Sequence, residues 1–156
     1  MSARKINVPE NKTFYCREEI AQLLTPEYIR GLIEGEGTFT NDGSRNGRLN
    51  PCVTLKMHYR DKELIEGIRD YFGLRNKVYE YTHQNRHYAM LIIRDIPTLK
   101  NKIVPFFKNQ LLGNKGMQFE EWLKMFPHLH GLHHRNLPRR KLPLDADEGK
   151  ELTGII

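Results

Sequence analysis

Cysteine is nearly absent: Cys16 and Cys52 are the only two in 156 residues. Two thiols so far apart cannot supply a zinc framework of clustered cysteines, and they give no ground for a disulfide-stapled secreted scaffold. Long apolar runs are missing too. Nowhere do about 18 apolar residues follow one another, the length a membrane helix needs, and no apolar stretch follows the basic N-terminal residues as a signal peptide would require. The expectation is a soluble, intracellular chain with no membrane partner, in the cytoplasm, the nucleoid or an organelle matrix. Acidic residues are the minority, 19 Asp and Glu against 25 Lys and Arg for a formal net charge of +6. With a pI near 9.4, the balance points to a polyanionic partner, although it is also common in proteins with no nucleic-acid role. The length suits one compact domain and leaves no room for a second copy of its pattern.

Residues 1–24 are mixed and polar, with Arg4, Lys5, Lys12 and Arg17, and read as an N-terminal arm: a basic arm or a loosely ordered end. At Thr25-Pro26-Glu27 a capping hydroxyl, a first-turn proline and a first-turn carboxylate coincide, which predicts a helix from Pro26 to about Gly35. Turn residues around Asn41-Asp42-Gly43-Ser44 and Asn46-Gly47, then alternation from Val53 to His58, predict two strands. Asp61 to Phe72 has helical spacing, with Gly73 suited to end it. Lys77 to Thr82 and His87 to Ile93 predict a second strand pair. A helical stretch from Ile96-Pro97 is expected to be interrupted at Pro105, and another helix runs from Gly116 to Phe126. This order is α+β, one mixed or antiparallel four-stranded sheet covered on one face by helices. The domain takes in 25–135; residues 136–156 read as a C-terminal tail.

The informative segment is Tyr28-Ile29-Arg30-Gly31-Leu32-Ile33-Glu34-Gly35-Glu36-Gly37-Thr38-Phe39. Gly31 and Gly35 share one helix face, and each costs about 1 kcal/mol relative to alanine inside a helix. Two such residues suggest a surface that another backbone approaches closely. Glu34 and Glu36 end the helix where its dipole disfavours negative charge by up to ~1 kcal/mol. A bound cation would offset that, and two carboxylates brought together by symmetry would suit Mg²⁺. Without more, two solvated surface glutamates explain the same pattern.

Ile29 to Gly37 resembles the nine-residue motif of the LAGLIDADG homing endonucleases, keeping its glycines, its apolar pair and both acidic positions, with glutamates for the usual aspartates. Arg30 stands where a small residue is usual and would have to point out of the helix seam. The resemblance extends along most of the chain, because αββαββα is the single-motif architecture of that family. It implies a four-stranded DNA-binding saddle sheet and a homodimer joined about Gly31, Gly35 and Leu32. It also implies Mg²⁺, with Mn²⁺ as a substitute, held by Glu36 and Gly35. Asn114-Lys115-Gly116 is similar to the place where the family carries a lysine, so Lys115 takes the part of a catalytic cation. His58 is chosen over Tyr59 to orient water, because Thr54, Lys56 and His58 share one strand face while Val53, Leu55 and Met57 share the other. DNA-facing positions would be Thr40, Asp42, Ser44, Thr54, Lys56, Tyr79, Tyr81 and His83, with Arg45, Arg48 and Arg86 in the connecting loops.

The implied activity is metal-dependent double-strand cleavage of a long, pseudo-palindromic DNA target by an intron-encoded or intein-encoded nuclease, leaving short 3′ overhangs. The competing expectation is a non-cleaving protein of the same fold, an intron RNA maturase or a DNA-binding regulator. A zinc site at His128, His130, His133 and His134 is a weaker alternative, since its spacing matches known sites loosely.

Overall fold

The computed structural model describes residues 14–43 and 47–130. Helix α1 is Arg17–Leu23 and α2 is Pro26–Glu36, followed by strands β1, Gly37–Gly43, and β2, Leu49–His58. Helix α3, Lys62–Tyr71, leads to β3, Val78–His83, and β4, Arg86–Ile93. A long helical stretch then runs through α4, Ile96–Thr98, a π-helical segment, Leu99–Ile103, and α5, Val104–Phe107. Helix α6, Asn114–Met125, and a short 3₁₀ turn, Pro127–His130, close the described chain. Ser44 and Arg45, the 136–156 tail, and His133 and His134 lie outside the described residues. No described helix is long and apolar enough to cross a membrane.

The four strands make one antiparallel sheet in the order β1-β2-β4-β3. Alternation decides which face is covered. Phe39, Val53, Leu55, Val78, Leu91 and Ile93 are buried against Ile29 and Ile33 of α2, Ile65 and Ile68 of α3, and Phe119, Trp122 and Leu123 of α6. Phe39 is the aromatic hub, with ring centroids 4.9 Å from Phe119, 5.4 Å from Trp122 and 5.8 Å from Phe107. The Trp122 indole N–H donates to the Thr40 carbonyl at 2.7 Å, pinning α6 to β1. The α+β arrangement with helices on one face is thus as the sequence predicts, and antiparallel throughout.

Local signals explain most boundaries. Thr25 caps α2 through its hydroxyl, which accepts from the Tyr28 N–H at 3.2 Å. Gly73, at φ +66°, ends α3 with its N–H on the Asp70 carbonyl, the left-handed stop expected of it. Gln84 and Asn85 both take positive φ, as the two-residue turn of a tight hairpin demands. Pro51 lies inside β2, but β4 joins β2 only from Val53 onward, so the proline falls outside the doubly paired part of the strand, where a missing N–H is tolerated.

Two stretches differ from expectation. Residues 17–23 of the segment read as an arm form α1, which packs on α3: a Cβ at Gly67 would stand 2.5 Å from Ile20 Cγ2. A helix this short is held by such packing rather than by its own propensity, and the packing partner is invisible locally. Pro105 does not interrupt its helix either. The turn before it widens, with Val104 N–H bonded to Leu99 O, which relieves the clash a proline ring makes in a regular turn.

Candidate functional site

Helix α2 turns Ile29 and Ile33 into the core and leaves Gly31 and Gly35 on an exposed face with Leu32 half-buried beside them. Among the described residues, a Cβ at Gly31 or Gly35 would meet nothing within 4 Å, which leaves room there for another backbone. Arg30 is directed away from it. Its Nε–H donates to the Phe106 carbonyl at 3.1 Å and its guanidinium lies over the Phe106 ring at 4.7 Å. At the helix end, a Cβ on Gly37 would come within 2.9 Å of the Ile33 carbonyl oxygen. Only glycine lets the chain pass so tightly from helix to strand.

The two glutamates at that end have different surroundings. The Glu34 carboxylate accepts the backbone N–H groups of Leu112 and of Gly113, the latter at 2.6 Å. Glu36 is exposed and makes no hydrogen bond or ion pair among the described residues. The last turn of α2 carries no basic residue, so nothing in the helix itself offsets that charge.

Glu34 also ties the start of α6 to the end of α2. Lys115 lies in the first turn of α6, half-buried, and that turn contains no acidic residue; the sequence reading placed it just ahead of a helix starting at Gly116. A cation at a helix N-terminus and an anion at a helix C-terminus are each on the disfavoured end of a dipole. The Glu34 contacts bring those two ends alongside each other. Positions that are poor for stability yet gathered in one place are characteristic of functional sites.

His58 ends β2. Its Nδ1 accepts the Arg60 N–H at 3.3 Å, so the neutral ring presents Nε2–H. Gly37 pairs with Leu55, which puts His58 roughly 10 Å further along the strand than that row. Lys56, exposed and only one residue past the row, stands nearer to the acidic helix end than His58 does. The sequence reading gave Lys56 a DNA-facing role only.

Among the described residues, no element covers the face opposite the helices. Register puts Thr40, Asp42, Thr54, Lys56, Tyr79, Tyr81 and His83 on it together, as alternation predicts, with Arg86 paired to His83. Arg48 is exposed ahead of β2. Sequence reasoning missed Tyr88 and Arg94. Lys56 Nζ sits 4.8 Å from the Tyr88 ring, and Tyr88 lies 5.5 Å from Tyr81. Arg94 Nε lies 3.0 Å from Asp42 Oδ2. Basic and aromatic groups spread over this sheet face suit nucleic acid better than an apolar partner.

The described residues contain no cluster of three or more His, Cys, Asp or Glu able to hold a metal ion. His130 is engaged otherwise, its Nε2 2.8 Å from the Leu123 carbonyl oxygen. The donors at the α2 end, the free Glu36 carboxylate and the Gly35 carbonyl, are hard oxygens at a helix C-terminus that favours a cation. They fit Mg²⁺ in kind, and a complete ligand set would draw on further groups.

A sheet face carrying basic and aromatic groups, with an acidic helix end beside it, is suited to a nucleic-acid ligand. Residues 29–126 match the family model described as LAGLIDADG endonuclease, and the chain belongs to that family, a family of DNA nucleases. Among solved structures it is similar to the homing endonuclease I-TnaI at 28% identity and TM-score 0.54, covering 65% of this chain and 71% of that one. I-LtrWI bound to target DNA is 26% identical with a TM-score of 0.57, over 69% of this chain and 36% of its own. I-GzeII in complex with its DNA target, 21% identical with a TM-score of 0.62, shares the fold over 96% of this chain and 46% of its own. No curated protein sequence matches.

Proposed function

We propose that the chain is a homing endonuclease that cuts both strands of a long, pseudo-palindromic DNA site as a homodimer, in a metal-dependent reaction. The observation that carries this reading is the free Glu36 carboxylate at the end of α2, beside a helix face that is open at Gly31 and Gly35. One chain offers one such acidic end, whereas cutting two strands calls for two. Pairing two copies about that face brings two acidic ends to a common axis, and the symmetry of the protein is then mirrored in the target.

Glu36 and the Gly35 carbonyl would hold the cation. When bound, Mg²⁺, or Mn²⁺ in its place, supplies Lewis acidity and an activated water for phosphodiester hydrolysis. Lys115 stabilises negative charge developing on the phosphate oxygens. His58 would orient water through its Nε2–H. The open sheet face binds the duplex, arginines reading base edges and lysines positioning phosphates.

The test is incubation of the purified protein with a randomised duplex library in Mg²⁺, with Glu36→Gln alongside. The expected result is enrichment of symmetric cut sites by the wild type, reduced at least about a hundredfold in the variant. Binding without cleavage in Mg²⁺ or Mn²⁺ would instead favour an intron RNA maturase or a DNA-binding regulator.

A further inference from the structure

We propose that Arg94, held in place by Asp42, reads a guanine in the major groove of each half-site. The inference rests on the reading of the open sheet face as the DNA-binding surface.

Arg94 follows β4 by one residue, one step beyond the Val53–Ile93 pair, and so belongs to the open face on which Thr40, Cys52 and Asp42 also lie. Its Nε is 3.0 Å from Asp42 Oδ2, and the two side chains are 56% and 41% exposed. Cys52, beneath them, is buried; burial pushes its thiol pKa up and the Arg94 guanidinium opposes that shift. The guanidinium is thus paired with Asp42 and close to the Cys52 thiol.

A carboxylate on a surface that faces phosphates is repelled unless it is neutralised. Asp42 makes sense on this face as a buttress rather than as a direct DNA contact. The ion pair sets Asp42 on the Nε side of the guanidinium, and the terminal nitrogens of the fork are the pair that matches guanine O6 and N7. A guanidinium already held in one rotamer loses less entropy when it makes that contact.

The position in the site follows from the strand. Asp42 stands about five residues along β1 from Gly37, on the order of 17 Å at about 3.4 Å per residue. Base pairs stack about 3.4 Å apart, so the guanine read by Arg94 falls about five base pairs outward from those under the acidic helix end. Two-fold symmetry repeats it in the other half-site.

The experiment is a position-by-position specificity profile of the full-length protein on duplex libraries, for wild type, Arg94→Ala, Arg94→Lys and Asp42→Asn. The wild type is expected to prefer G·C at two symmetry-related positions on the order of ten- to a hundredfold. Arg94→Ala and Arg94→Lys abolish that preference there and nowhere else, since an ammonium lacks the fork, and Asp42→Asn weakens it. An unchanged profile in Arg94→Ala overturns the proposal. So does a uniform loss of affinity with a salt dependence shallower by about one ion, the mark of a phosphate contact. A wild type without any sequence preference would overturn the DNA-binding reading of the face itself, and this proposal with it.

Discussion

Glu34 and Glu36 stand two residues apart and do different work. Glu34 is consumed by two backbone N–H groups of the loop before α6, whereas the Glu36 carboxylate has no partner among the described residues. Glu34→Ala would leave those donors to water and release the start of α6, at a cost of about 1–3 kcal/mol. Thermal melting should register that loss. Under the proposed mechanism cleavage should lose kcat more than KM, because Lys115, the group displaced, would act on developing charge. Lys115→Met, by contrast, should lower kcat with the melting temperature nearly unchanged. The motif made the acidic helix end legible in the sequence, down to the glycine at 37. It could not separate the two acids, because the partners of Glu34 lie 78 and 79 residues away. Arg94 was missed for a similar reason: it falls just past the end of its strand, and its partner Asp42 is two strands across the sheet.

The elements were legible wherever a local signal marks them, as with the hydroxyl at Thr25, the left-handed Gly73 and the polar hairpin turn at Gln84-Asn85. They were not legible where packing decides. Helix α1 exists because Ile20 seats on Gly67, and the π turn at Leu99–Ile103 carries the chain past a proline that pattern alone reads as a stop. Gly67→Ala should therefore destabilise the fold by about 1–3 kcal/mol, since Ile20 Cβ and the Arg17 carbonyl cannot swing aside. A chemical denaturation curve would show it as a lower midpoint. At the start of α4, the Asp95 carboxylate accepts from the Thr98 N–H at 2.9 Å and its hydroxyl at 2.6 Å, and these bonds hold its pKa below the usual carboxylate value. A group depressed in the folded state stabilises it fully above the ordinary carboxylate pKa and loses that contribution as pH falls through the lowered folded value. Asp95→Asn should thus melt below wild type at neutral pH, with the gap narrowing under about pH 4; an equal gap at every pH would remove this account.

At the scale of the molecule, one open helix face and one open sheet face carry the functional reading. The sheet face was legible from alternation alone, because a period of two leaves strand residues only two ways to point. The proposed pairing of two copies is not written in one chain, and it makes its own prediction. Gly31→Leu fills space that is empty in the single chain and favours the helix by about 1 kcal/mol, so each subunit should be no less stable. It should nevertheless sediment as a monomer and lose double-strand cleavage, whereas a wild-type mass and activity would place the dimer seam elsewhere.

In the proposed mechanism the Glu36 carboxylate is needed for chemistry and not for recognition. The most direct measurement is Mg²⁺-dependent cleavage of a selected duplex by wild type and Glu36→Gln, with the affinity of each for the same duplex determined in parallel. The variant should bind the duplex as tightly as the wild type or more tightly, and cut neither strand. Cleavage by Glu36→Gln at the wild-type rate would contradict the mechanism.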